Sequence, residues 1–223
     1  QRQMCIRDRY KAIASQVADC LDFPIQAINE ACSLSPLSDY CDDVVPLFVT
    51  GLRDKHLHEH LSSCAPTTIL FTGGGIVPAS LLGIEKLKFI HIHPGYLPYI
   101  RGADCVLWSA LLTGQTSATS FYMSPGIDTG DIIKACWLPE VRFDANVNMY
   151  DIKTLYRAIY SFFDPWVRSY VLRETIHEHD NFSKISTLKQ TESEGSMYYF
   201  MHPEMQKSAL RFFFPGNRDR NDL

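Results

Sequence analysis

Apolar residues recur at helical spacing in three stretches of the chain. Ile13, Val17, Cys20 and Leu21 share one face and predict a helix over Tyr10–Leu21. Ala103, Val106, Leu107, Ala110 and Leu111 predict a second over Ala103–Leu112, which Gly114 ends. Ile152, Leu155, Tyr156, Ile159 and Phe163 predict a third over Met149–Phe163. Asp164-Pro165 then reads as an N-cap with proline at the first helical position, so a separate helix is expected from there to Ile176. Asp54–Leu61, Pro78–Ile84 and Pro203–Leu210 are shorter helical stretches.

Short apolar or β-branched runs predict strands at Pro24–Ile28, Val44–Val49, Thr67–Phe71, Lys88–His93, Thr116–Met123 and Asp131–Leu138. Ser33–Asp43 is a loop rich in Ser, Pro and Asp. Asn181–Gly195 reads as a polar extended tail, and Asn217–Leu223 as a disordered end. Strand, helix, strand, loop and strand in succession predict an α/β fold, with helices covering a mostly parallel sheet.

Composition narrows the class. With 46% hydrophobic residues over 223 positions, the chain can bury one sizeable core. A formal net charge of −4 and the lack of a Lys/Arg run argue against a large nucleic-acid footprint. No apolar run nears the roughly 20 residues needed to cross a bilayer. The seven cysteines are scattered without a C-x-x-C, which predicts reduced thiols and a cytoplasmic setting. Gln1–Arg9 is polar and aperiodic. It is read as a non-native, adapter-like segment, with the first strand of the fold missing before Tyr10.

The chemistry concentrates between Phe89 and Asp131. On a strand, alternate side chains share a face, so His91 and His93 point the same way. Pro94 ends the strand and leaves both at the sheet's C-terminal edge, where open α/β sheets bind ligands. Asp128 follows in Pro125-Gly126-Ile127-Asp128-Thr129-Gly130, a loop whose glycines permit tight turns and close approach to a ligand.

The motif H-P-x-x-L-P-x-x-R-G over His93–Gly102, followed by G-I-D-T-G over Gly126–Gly130, resembles the 10-formyltetrahydrofolate-dependent formyltransferases. That family includes glycinamide-ribonucleotide, methionyl-tRNA and sugar-amine enzymes. The resemblance covers Thr67–Ile133 well and the flanks weakly. It implies a three-layer, Rossmann-like formyltransferase fold with a small C-terminal appendage. It further implies a catalytic trio, in which His93 matches the family histidine and Asp128 the family aspartate. His91 stands where the family has asparagine. With its ring N–H, His91 could replace that amide as donor to the formyl oxygen. The folate contacts implied are Gly74, Gly75, Ile92, Gly126 and Ile127. Arg101 could pair with an anionic group and Tyr96 lies near it, which makes both candidate substrate contacts. A loop salt bridge and plain packing are their structural readings.

On this resemblance the chain transfers a formyl group from 10-formyltetrahydrofolate to an amine of a small molecule, such as an amino sugar nucleotide or amino acid. Hydrolysis of the same folate is the alternative within enzymes, and a non-catalytic folate- or metabolite-binding module is the alternative outside them. The methionyl-tRNA enzymes carry a sizeable C-terminal β-barrel. Fewer residues follow Ile176 than such a barrel needs, so tRNA is disfavoured as acceptor. The expected organisation is 1–9 non-native, 10–176 catalytic domain, and 177–223 a tail with a short helix. Two weaker motifs are set aside. His56-Leu57-His58-Glu59-His60 has the H-x-x-E-H spacing but no third ligand, so a polar helix face is expected and no metal. Thr72–Gly75 lacks both nucleotide-loop spacings and reads as a tight turn beside the cleft.

Overall fold

The computed structural model describes residues 13–31, 35–73, 75–143, 151–179 and 185–215. Gly74, residues 1–12, Met149 and residues 217–223 lie outside these, so the expectations placed on them are not addressed. Among the described residues the central sheet has four strands: β1 (Thr67–Leu70), β2 (Leu87–His93), β4 (Ser117–Tyr122) and β5 (Ile132–Trp137). They lie in that order. A separate two-stranded ribbon joins β3 (Ile100–Gly102) to β6 (Ser196–Tyr198).

The expected α/β class and Rossmann-like layering are present. The sheet is mixed rather than mostly parallel: β1–β2 is parallel, whereas β2–β4 and β4–β5 are antiparallel. The reason is local. The chain leaves β2 at Pro94 and passes through β3 and α5 (Cys105–Thr113), and β4 then begins beside the C-terminal end of β2, with Thr119 opposite His93, so it runs back against β2. β4 and β5 then form a hairpin around the Asp128 loop.

Alternation along β2 separates two cores. Ile90 and Ile92 face a large cluster with a helix over 13–21 (α1), with α5, and with α7 (Asp164–Glu178). Leu87 and Phe89 face the other way, against α3 (Lys55–Ser63) and α4 (Ala79–Leu82). Helices therefore cover both faces. Val17, Leu107, Val167 and Phe213 are fully buried, each worth about 1.5–3 kcal/mol. Asp54 caps α3 by accepting from the His56 N–H, and the polar face of α3 carries the histidines.

Four local expectations are corrected. Pro24–Ile28 is not a strand: Ile25–Ala31 is helical (α2), since Ile25 and Ile28 are spaced by three and Pro24 supplies the first carbonyl acceptor. Val44–Val49 is neither strand nor buried. Pro46 removes a donor from any ladder, and Phe48 is 98% exposed. Asp164-Pro165 does not start a new helix. The run from α6 (Ile152–Ala158) passes through a π turn at Ile159–Phe163 into α7 without leaving helical dihedrals. The wider turn takes up the missing N–H of Pro165. Finally, the stretch after Ile176 does not form a separate appendage. α8 (Pro203–Phe213) buries Ala209, Leu210 and Phe213 in the large core, and β6 completes the ribbon.

Candidate active site

β2 carries both histidines to its C-terminal end, facing β4. His91 lies opposite Phe121 and His93 opposite Thr119. Beyond β4, the loop to β5 turns on Asp128, whose φ of 53° is left-handed. Aspartate tolerates that region better than most residues. Gly130, at φ +114°, packs so close to the Tyr122 carbonyl that a Cβ would lie 1.9 Å from it. Only glycine fits there, which fixes the turn that presents Asp128.

The two motif halves meet at Asp128. Its Oδ1 is 3.3 Å from His93 Nδ1, and its Oδ2 accepts the Gly102 N–H at 2.8 Å. His93 is 2% exposed. Its Nε2 lies 2.9 Å from the Ile100 carbonyl, which can only accept. Both ring nitrogens therefore face acceptors, and the imidazolium satisfies both. Burial opposes that charge, but the hydrogen bond and charge of Asp128, with a further contribution from Cys105, overcome it, lifting the His93 pKa to about 10. Asp128 moves the other way. Burial would raise its pKa, yet His93 and the Gly102 N–H hold it below the ordinary carboxylate value.

His91 is in a different state. Its Nδ1 is 2.8 Å from the Phe71 carbonyl, so Nδ1 is the donor. Its Nε2 is 3.4 Å from Arg168 Nη1, which makes Nε2 the acceptor. Burial, then the charges of Arg168 and His93, push the His91 pKa down against the pull of Phe71 and Asp128. The expectation that His91 offers a free N–H is not met, because its one N–H is spent on backbone.

A cavity of about 290 Å³ opens beside this cluster. Its apolar wall includes Phe71, Ile76, Val77, Leu82, Phe121 and Met123. Its polar end holds His91, Asp128, Thr129 and Arg168. Of the expected folate contacts, Gly75, Gly126 and Ile127 line it and Gly74 is outside the described residues. Ile92 is not in the lining: its side chain is 5% exposed in the large core on the other face, where strand alternation puts it, and only its carbonyl reaches toward the site, at Arg168. His93 sits behind Asp128 rather than in the lining, so Asp128 is the member of the pair that reaches the cavity.

The two candidate substrate contacts lie elsewhere. Tyr96 stacks on Trp137 at 4.6 Å and on Tyr99 at 6.2 Å. Arg101 is 7% exposed, on β3 beneath Gly195. Neither belongs to the cavity lining.

Two site residues escaped the sequence reading. Arg168, on α7, donates from Nε to Asp164 and from Nη1 to the Ile92 carbonyl, both at 2.7 Å. Gln190 donates from Nε2 to the Gly130 carbonyl at 2.7 Å and to the Asp128 carbonyl at 3.2 Å, pinning the loop. The Asp164–Arg168 spacing of four was the only signal for the first. Gln190 stands in a polar tail with no pattern at all.

No family model matches the chain. A methionyl-tRNA formyltransferase of Clostridioides difficile is 37% identical over 119 residues, covering 51% of this chain and 37% of that protein. The match thus spans little more than a third of that relative. Among solved structures, a HypX variant from Aquifex aeolicus is 17% identical, with a TM-score of 0.48, over 88% of this chain and 29% of that one. The formyltransferase PseJ from Anoxybacillus kamchatkensis was solved with UDP-4,6-dideoxy-4-formamido-L-AltNAc and tetrahydrofolate. It is 23% identical, with a TM-score of 0.36, over 60% of this chain and 63% of that one. The resemblance carried by the two motifs therefore extends over a wider segment, whose sequence relatives are formyltransferases.

Proposed function

We propose that this chain, related in sequence to methionyl-tRNA formyltransferases over about half its length, moves a formyl group from 10-formyltetrahydrofolate to a small-molecule amine. The observation that carries the reading is the junction at Asp128. One carboxylate holds His93 with one oxygen and the Gly102 N–H with the other, at the polar end of a cavity.

The folate supplies an activated formyl carbon. The cavity suits one flat ring of such a molecule: it has an apolar wall, a polar end, and a volume at the low end of small-molecule sites. Asp128 is the proton acceptor for the attacking amine. His93, as imidazolium, holds Asp128 ionised and aimed, and it keeps its own protons on acceptors. Its role in this reading is orientation and charge balance behind the carboxylate. A proton taken by Asp128 is available to the departing folate nitrogen, so the same group serves both halves of the transfer.

A small acceptor fits a net charge of −4, which disfavours a polyanion such as tRNA. The test is incubation with 10-formyltetrahydrofolate and pooled amines, read by mass spectrometry, with methionyl-tRNA as a parallel acceptor. Formylated small amines are expected. Formylation of the tRNA alone would overturn the acceptor assignment, and formate release without any acceptor would favour hydrolysis instead.

A further inference from the structure

We propose that Arg168, not His91, is the cavity's donor to the formyl oxygen, and that His91 is a positioning residue for its guanidinium. The proposal rests on the formyl-transfer reading.

The guanidinium is placed by three acceptors. Nε donates to Asp164, and Nη1 donates to the Ile92 carbonyl and toward His91 Nε2. Among the described residues these are its only hydrogen bonds, and none involves Nη2. The side chain is 33% exposed and lines the cavity. His91 lies 77 residues earlier in sequence and is locked from its other side by the Phe71 carbonyl. An imidazole so held has a lone pair, and no proton, for its neighbour. It serves as an acceptor that orients a cation.

In the transfer, the amine nitrogen forms a bond to the formyl carbon and the carbonyl pair moves to oxygen. Arg168 stabilises that developing charge. The pair then returns, the bond from carbon to the folate nitrogen breaks, and that nitrogen takes the proton the amine has lost. A permanently charged donor in place of a neutral amide keeps the site working without any titration at the donor position.

The groups facing His91 are Arg168 on α7, His93 on its own strand, and Asp128 on the loop between β4 and β5. Nitrogen-15 NMR of the unliganded protein should show His91 as one neutral Nδ1–H tautomer at neutral and alkaline pH. In Arg168→Met, His91 should titrate at higher pH than in the parent. Turnover by Arg168→Met should fall about 100- to 1000-fold, with tetrahydrofolate affinity by calorimetry changed far less. Arg168→Lys should recover part of the loss. Methionine at 168 strands the buried Asp164 carboxylate, so Arg168→Met/Asp164→Asn is measured alongside as the variant that keeps the fold. An Nε2–H or charged His91 in the parent at neutral pH would overturn the proposal, as would parental turnover in the Arg168 variants. If the parent itself transfers no formyl group while the His91 tautomer stands, the formyl-transfer reading falls, and the donor role falls with it.

Discussion

Asp128 Oδ1 lies 3.3 Å from His93 Nδ1, and the second oxygen of the same carboxylate receives the Gly102 N–H. One side chain thus joins the two halves of the motif. Replacing Asp128 by Asn keeps the shape but removes the charge and the proton acceptor. Turnover of Asp128→Asn should drop by about 100-fold or more, the scale of a positioned acid or base. His93→Ala should drop it similarly while circular dichroism stays native. Near-parental rates in Asp128→Asn would remove Asp128 from the reaction.

The same pair makes stability depend on pH in a direction that can be stated. An unfolded histidine loses its proton near pH 6.5, whereas folded His93 keeps its proton to about 10. Between those values the folded state binds more protons, so stability falls as pH rises. Asp128, with its pKa held down, acts on the acid side: its contribution is lost as pH falls below the ordinary carboxylate range. Urea melts at pH 6, 8 and 10 should show declining midpoints in the parent. In Asp128→Asn the alkaline decline should flatten, and an unchanged slope would mean that His93 is not the group responsible.

Much of this was legible beforehand because it is local. His91 and His93 share a face by strand alternation, Pro94 stops the strand, and Gly114 ends α5 where its apolar spacing stops. What was not legible depends on distant partners. Val44–Val49 has the composition of a buried strand, but burial is decided by whether a neighbour covers it, and among the described residues none does. The His91 ring offers one N–H to any reader of the sequence. Only the position of the Phe71 carbonyl and of Arg168 decides where that proton goes. Arg168 itself reads as an ordinary helix cation until α7 is laid across β2.

Gly95 carries the close packing around His93. A Cβ there would lie 2.5 Å from the Ile100 carbonyl and 2.6 Å from His93 Nε2. Gly95→Ala should therefore cost about 1–3 kcal/mol, the usual range for overpacking. It should also weaken the Nε2–H bond, visible as a shift of the His93 ring signals. A variant with parental melting temperature and unmoved His93 signals would contradict this geometry.

Gln190 ties the Asp128 loop to the tail through two carbonyls. Gln190→Ala should cost about 1–2 kcal/mol, as expected for two modest hydrogen bonds. Amide exchange should speed up within residues 126–131 before it does elsewhere. Uniform exchange across the β4–β5 hairpin would show that the loop holds its shape unaided.

The ribbon of β3 and β6 sets an order of events during synthesis. Ile100–Gly102 emerges early, yet its partner Ser196–Tyr198 and the Leu188 bridge to Ile132 come from much later in the sequence. Until residues 188–198 leave the ribosome, β3 and the Asp128 loop have neither clasp, and pairings so distant in sequence form slowly. A nascent chain stalled before residue 185 should therefore hold the central sheet without a finished site. Ligand affinity would then arrive abruptly, once residues 185–198 have been translated.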